Sequence, residues 1–339
     1  MKFKLAAALA LGLAFSGGVP FSSVTQAQTT LRLLNAWDNR YAASPLIVDA
    51  FIASVKQASK DDIQVRNFGP EVVPPFEQLQ PVSKGAFDLL FSNSGYYIGV
   101  SSVSHAVQGL TGTPAQWRQA GIFEWIEKHY EGHNLKVLAI VPTTTSASSE
   151  GAFQALLKEP VGPGDKPLAG RKIRGTPTFK PLIEAMGGSL VVLSAPDIYP
   201  GLQRGTVDGV MWPVIGAVDF KWYEVAPYLM KPTFGTAIHM LFINLDKFKS
   251  LTPAQQKILL AEGEKLETSG QKALEARGLA EIEELKKRGI KDTTIDPKIA
   301  APLLEIFKQG FWETAESAKS SPDQAKALHA LARSKGMAK

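Results

Sequence analysis

The sequence predicts an α/β protein of two lobes built on mostly parallel sheets, and three observations carry that prediction. From Thr30 onward, short apolar strand-like segments alternate with segments of helical period, the pattern of consecutive strand-helix-strand units. A junction of glycine, two residues, aspartate and an apolar run occurs twice, as Gly85-Ala86-Phe87-Asp88 and as Gly205-Thr206-Val207-Asp208. Each follows a helix-like segment, and glycine tolerates the left-handed turn that ends a helix. The same junction is common in α/β chains, so duplicated lobes are one reading of it and coincidence the other. Third, a helical pattern runs from Thr252 to about Arg288, on the order of 50 Å at 1.5 Å per residue, long enough to cross two lobes.

In order along the chain, 30–35 reads as a strand, 45–59 as an amphipathic helix and 63–68 as the next strand. A helix over 77–84, a strand over 87–92, a helix over 114–130 and a strand over 135–141 complete the first part. The second part offers a strand at 172–174, a helix over 179–186, a strand over 190–193, a helix over 196–203 and a strand over 207–212. Helix starts are marked by capping hydroxyl, proline and glutamine in Thr113-Pro114-Ala115-Gln116, Thr252-Pro253-Ala254-Gln255 and Ser321-Pro322-Asp323-Gln324. Asp296-Pro297 supplies the cap and the proline for another.

Composition narrows the function classes. Lys2 and Lys4 precede an apolar stretch from Leu5 to Phe15, and small Thr25 and Ala27 stand three and one residues before Gln28. These are the parts of a cleaved secretory signal, and the stretch is far short of the roughly 20 residues a membrane span needs. Without Lys2 and Lys4 the net charge falls from +5 to +3, 35 basic against 32 acidic residues. No basic cluster suggests nucleic acid. The absence of cysteine excludes disulfides, thiolate nucleophiles and cysteine metal sites.

Two runs carry a family resemblance: Leu168-Ala169-Gly170-Arg171-Lys172-Ile173-Arg174-Gly175-Thr176-Pro177, and Asp197-Ile198-Tyr199-Pro200-Gly201-Leu202-Gln203-Arg204-Gly205-Thr206-Val207-Asp208-Gly209. In order and spacing the chain resembles the solute-binding proteins of tripartite ATP-independent periplasmic (TRAP) transporters, of the C4-dicarboxylate-binding type. The resemblance implies a two-lobed, type II-like periplasmic binding protein with mixed sheets in each lobe, crossing strands and a long helix spanning both. It implies residues 1–27 as signal peptide, 28–145 with 237–275 as lobe I, and 146–236 with 276–339, C-terminal helices included, as lobe II. A small carboxylate would be the ligand and the permease subunits the partner. No cofactor, metal, catalytic residue or nucleic acid enters this reading, and the protein is expected to be a periplasmic monomer.

Within that resemblance Arg174 is the residue that pairs with the ligand carboxylate. Alone, an arginine after Lys172-Ile173 is more often a surface side chain, and the resemblance reverses that reading. A planar guanidinium that makes two parallel bonds and stays charged when desolvated suits the role. The chain departs from the family in two places. Thr143-Thr144-Thr145-Ser146-Ala147-Ser148-Ser149 lacks the second arginine of many members, and Val210-Met211-Trp212-Pro213 replaces a polar run with a flat apolar wall at Trp212 and no cation ligand at Met211. Trp37, Asn93, Tyr96 and Tyr97 follow strands, where ligands of open α/β sheets collect. His239 stands before a strand expected to cross between lobes. These residues favour a monocarboxylate with an apolar or aromatic body over a C4-dicarboxylate.

Other functions find weaker support. A secreted α/β hydrolase is one alternative, yet Phe91-Ser92-Asn93-Ser94-Gly95 lacks the Gly-x-Ser-x-Gly elbow. His129 and His133 have helical spacing but no His-Glu-x-x-His arrangement, and Gly162-Pro163-Gly164 lacks the Gly-Lys-Ser/Thr ending of a phosphate loop. A ligand-binding partner of a sensor is the other alternative.

Overall fold

The computed structural model describes residues 28–144 and 153–339. The N-terminal apolar segment and residues 145–149, part of the stretch that lacks a second arginine, lie outside the described residues. The chain first forms β1 (Thr29–Asn35), α1 (Ala50–Ala58), β2 (Ile63–Phe68), α2 (Leu79–Ser83), β3 (Leu89–Asn93), α3 (Val103–Ala106), α4 (Pro114–Gln119), α5 (Ile122–Glu131) and β4 (Leu135–Pro142). It continues through β5 (Phe153–Leu157), β6 (Lys172–Arg174), α6 (Lys180–Ala185), β7 (Ser189–Val191), α7 (Ala195–Gln203), β8 (Gly209–Pro213) and β9 (Tyr228–Lys231). Last come β10 (Ile238–Asn244), α8 (Leu245–Ser250), α9 (Pro253–Lys287), β11 (Lys291–Thr294), α10 (Pro297–Glu316) and α11 (Pro322–Ser334).

Two sheets result, ordered β2-β1-β3-β10-β4 and β11-β9-β5-β8-β6-β7. They share one plan. Parallel β2, β1 and β3 in one match parallel β7, β6 and β8 in the other, and each trio is followed by an antiparallel strand, β10 or β5. That antiparallel strand enters each sheet from the chain that has just left the other lobe. The sheets are therefore mixed rather than mostly parallel. The crossing segments run side by side: Thr143 N donates to Ala237 O at 2.9 Å, and Phe153 and Phe234 exchange backbone bonds of 2.8 and 3.0 Å.

The repeated junction is structural. Gly85 and Gly205 have φ of +78° and +72°, a region that favours glycine. Asp88 and Asp208 then each accept a backbone N–H from the neighbouring strand through Oδ2, from Arg32 and Lys172, both at 2.8 Å. Those carboxylates tie β3 to β1 and β8 to β6, and so set the two strands whose ends meet at the cleft.

Other expectations shift locally. The helix read over 114–130 is two, α4 and α5, because Gly121 adopts φ +76° between them. Thr113 and Thr252 form the capping boxes read from their sequences, whereas Ser321 lies at φ +51° and its side chain caps nothing.

The long helix α9 has 35 residues and touches both lobes. At Gly263 it meets the backbone of Leu138 so closely that a Cβ would collide with the Leu138 carbonyl. Further along, Glu267 accepts Ile140 N at 3.0 Å in the first sheet. About four turns on, Glu281 accepts Gly216 N and Val218 N, both at 2.8 Å, after β8 in the second. Within 276–339, the stretch read as second lobe, the last helix packs on the first. Ala325, Leu328 and Ala332 of α11 are buried with Trp117, Ile122 and Tyr130, and Thr111 N donates to Met337 O at 2.9 Å. The apolar face of α11 thus covers α3 and α5, which the first sheet alone leaves open. Among the described residues no helix is long and apolar enough to cross a membrane.

Candidate functional site

Arg174 ends β6 and is only 1 % exposed. Its Nε and Nη2 donate to Leu193 O at 2.9 and 2.7 Å, and its Nη1 to Met211 O at 3.3 Å. The guanidinium lies 4.6 Å from the centre of the Trp212 ring, a cation–π contact. Burial lowers its pKa to about 10, an effect the Tyr96 phenol partly offsets, so the group stays charged at neutral pH. Among the described residues no carboxylate pairs with it.

The guanidinium borders a cavity of about 20 Å³ between the carboxyl ends of strands from both sheets. Trp37, Asn93 and Tyr96 line it from the first lobe, Trp212 from the second and His239 from the crossing β10. His239 lies inside that strand rather than before it. Tyr97 stands apart from this lining. Its ring packs in the core of the first lobe, with the hydroxyl 2.8 Å from Ser92 Oγ and 3.1 Å from Pro75 O. Tyr96 and Tyr97 share one tight turn, so neighbouring side chains leave on different sides.

Six further residues complete the lining: Gln108, Phe153, Thr176, Thr178, Phe179 and Pro213. Thr176 and Thr178 follow β6 directly, and the strand-end rule that selects Trp37 and Asn93 selects them too. Gln108 carries no such signal. It reaches the cavity from the segment after α3, and its Nε2 donates to Thr178 Oγ1 of the opposite lobe at 3.3 Å. Gly95 lies at the same contact, where a Cβ would fall 2.8 Å from Thr178 Oγ1.

Aromatic packing supports the wall. Trp37 touches Tyr41, Phe91, Tyr96 and His239 with ring centres 5.2 to 5.8 Å apart. Tyr41 continues across the lobes to Trp212 at 5.8 Å. Beside that contact Asp219 accepts Ala42 N at 3.0 Å and pairs with Arg277 at 2.9 Å. His239 stacks on Phe91, 5.5 Å between centres and 13° between planes. Burial lowers its pKa to about 4, an effect a weak hydrogen bond to the Val141 backbone only partly offsets.

The alternative chemistries gain little. Ser92 is engaged by Tyr97, and His129 is half-buried against Trp125 with Nε2 2.8 Å from Ser101 Oγ. No cluster of three potential metal ligands occurs among the described residues. Arg174 is the one charged residue in the described lining. The arrangement suits a small anion that meets a guanidinium at one end and neutral hydrogen-bonding groups elsewhere.

Residues 46–317 match the profile of the bacterial extracellular solute-binding proteins, family 7. The chain is 28 % identical over 141 residues to the ectoine-binding periplasmic protein TeaA of Halomonas elongata, a match of 41 % of this chain and 39 % of that relative. It is 21 % identical over 297 residues to the 2,3-diketo-L-gulonate-binding periplasmic protein YiaO of Escherichia coli, with 83 % and 86 % covered. Its fold matches a TRAP periplasmic solute-binding protein of Desulfovibrio salexigens with bound orotic acid, at TM-score 0.79 and 18 % identity, over 91 % of this chain and 98 % of that one.

Proposed function

This chain belongs to the bacterial extracellular solute-binding proteins of family 7, and from that premise we propose that it captures a small monocarboxylate beside Arg174 and delivers it to the membrane permease of a TRAP transporter. Members of the family are periplasmic, bind small organic acids for transporters and are not enzymes.

The carrying observation is the buried, unpaired guanidinium of Arg174. Holding such a charge without an anion costs several kcal/mol, and a carboxylate with two parallel bonds offsets that cost. The described lining has one charge, so a second carboxylate would be buried without a partner. The ligands named for the relatives and neighbours are varied, ectoine, 2,3-diketo-L-gulonate, orotic acid and the dicarboxylate malonate among them, so the single-anchor reading rests on the lining. Trp37, Tyr96, Phe153 and Trp212 favour an apolar body.

In this reading the lobes, with α11 moved to the first, part and close about the crossing segments. Residues 1–27 are removed at export, and the mature chain acts as a monomer. Thermal shift against monocarboxylates, dicarboxylates and sugar acids tests the proposal. A ligand at a hundredfold excess over its Kd stabilises by about 2.7 kcal/mol. Monocarboxylates raise Tm for the native chain and not for Arg174→Ala. A best ligand that binds Arg174→Ala as tightly as the native chain sinks the anchor.

A further inference from the structure

We propose that a second cavity, on the face of β10 opposite the Arg174 site, is a binding site for a small aromatic monoanion. Successive side chains of a strand point to opposite faces: His239 borders the Arg174 cavity and Ile238 borders the second one. Gln108 alone is common to the two described linings, so the site goes beyond the Arg174 anchor and does not depend on it. The second cavity has a volume of about 470 Å³, within the roughly 300–1,000 Å³ of small-molecule sites, which favour boundaries between domains. Both lobes build it. Trp117 and Trp312 belong to the core of the first lobe, Phe234, Phe307 and Phe311 to that of the second, and Thr144 and Thr236 come from the crossing segments.

The chemistry of the occupant follows from the walls. The aromatic rings suit a flat apolar body, which they meet by offset or edge-to-face contact. They are already packed in place: Phe307 lies 4.9 Å from Phe234 and 4.7 Å from Phe311 between ring centres. The backbone is fitted to them, since a Cβ at Gly109 would collide with Trp312 and one at Gly235 with Phe307. Charge stands at the exposed rim. Lys308 Nζ lies 2.9 Å and Lys339 Nζ 3.9 Å from the Glu305 carboxylate, so two ammonium groups share one acid. The Lys339 backbone oxygen is taken up by His329 Nε2 at 3.1 Å. No other charged side chain stands in the described lining, and the excess of one positive charge suits an occupant with one anionic group.

Two fluorescent probes test this, 8-anilinonaphthalene-1-sulfonate and its uncharged analogue N-phenyl-1-naphthylamine, titrated into the folded chain at low salt. The native chain is expected to bind the sulfonate about threefold or more tighter than the amine, the scale of an exposed charge pair. Arg174→Ala leaves both affinities within about twofold, as separate sites should. Thr111→Trp or Gln309→Trp, each bringing an indole to the cavity from an exposed position, weakens both probes about tenfold or more. Lys308→Glu erases the preference for the sulfonate and spares the amine. Loss of binding in Arg174→Ala places the probes in the ligand cavity and overturns the second site, as does native affinity in both Trp variants. Equal native affinities for the two probes overturn the choice of an anion. Should the Trp variants fail to fold, indole N–H resonances of the native chain decide. The sulfonate shifts those of Trp117 and Trp312 and not those of Trp37 and Trp212, and the reverse pattern refutes the site.

Discussion

His105 provides a test of the interior that is independent of the ligand. It sits in α3 with 0 % exposure, 5.8 Å from the Phe311 ring, and both ring nitrogens lack a partner. Burial lowers its pKa from 6.5 to about 4. Above the unfolded value both states hold the ring neutral, and the full stability is present. As pH falls below it, the unfolded chain takes up a proton that the folded chain refuses until about pH 4. Stability is lost across that window, in total about 3 kcal/mol at ~1.4 kcal/mol per pH unit. His105→Leu keeps a similar volume and removes the titration. Urea denaturation at about pH 7 and about pH 4.5 measures it. The native chain loses about 2.5 kcal/mol more than the variant between those values, and the variant is at least as stable near neutrality because two unpartnered buried nitrogens are gone. Parallel pH profiles for the two proteins would refute the assignment of acid lability to this ring.

Glu281 predicts the opposite limb. Burial raises its pKa from 4.5 to about 7, so its stabilising protonated form is complete below the unfolded value and is lost as pH rises through about 7. Glu281→Gln flattens that limb in the same denaturation series, and an unchanged slope excludes Glu281 as its source. Glu267, 3 % exposed, takes two 2.9 Å bonds from Arg118 and one from Ile140 N. Glu267→Ala leaves that guanidinium and amide unpaired and costs about 3–5 kcal/mol by chemical denaturation; a loss under about 1 kcal/mol would place the pair among weak surface bridges. At Gly95 a side chain meets Gln108 of its own lobe and Thr178 of the opposite one. Gly95→Val weakens ligand binding about tenfold or more by titration with little change in Tm, and unaltered affinity would show that the lobes need not approach there.

Much of the fold is legible in residues that act locally. Proline after a hydroxyl at Thr113 and Thr252 starts helices because the cap and the fixed φ are properties of adjacent residues. The paired glycine and aspartate junctions are legible for the same reason, and each aspartate ties two parallel strands. Three strands were not legible. β9 and β11 are only four residues each, and β5 is buried throughout, so it shows no alternation. At Ser321 the helix starts at Pro322 as the motif reads, but the side chain makes no cap, and the Ser321 carbonyl accepts Ser102 Oγ at 2.6 Å.

For the site the division is the same. Residue chemistry and order along the chain determined the α/β class and the long helix, left related lobes as one of two readings, and named Arg174 only through the family resemblance of the run around it. Strand ends pointed to Trp37, Asn93, Tyr96 and Trp212, since a side chain's distance from a strand end is a local quantity. Only the tertiary structure decided that Tyr97 faces the core and that Gln108 and the threonines after β6 meet across the cleft. It alone decided that the guanidinium is buried without an acid and that His239 is buried at the same cavity. Those facts depend on which segments pack against each other from distant parts of the chain. Burial, desolvation and the absence of a partner are properties of that packing rather than of any stretch of sequence.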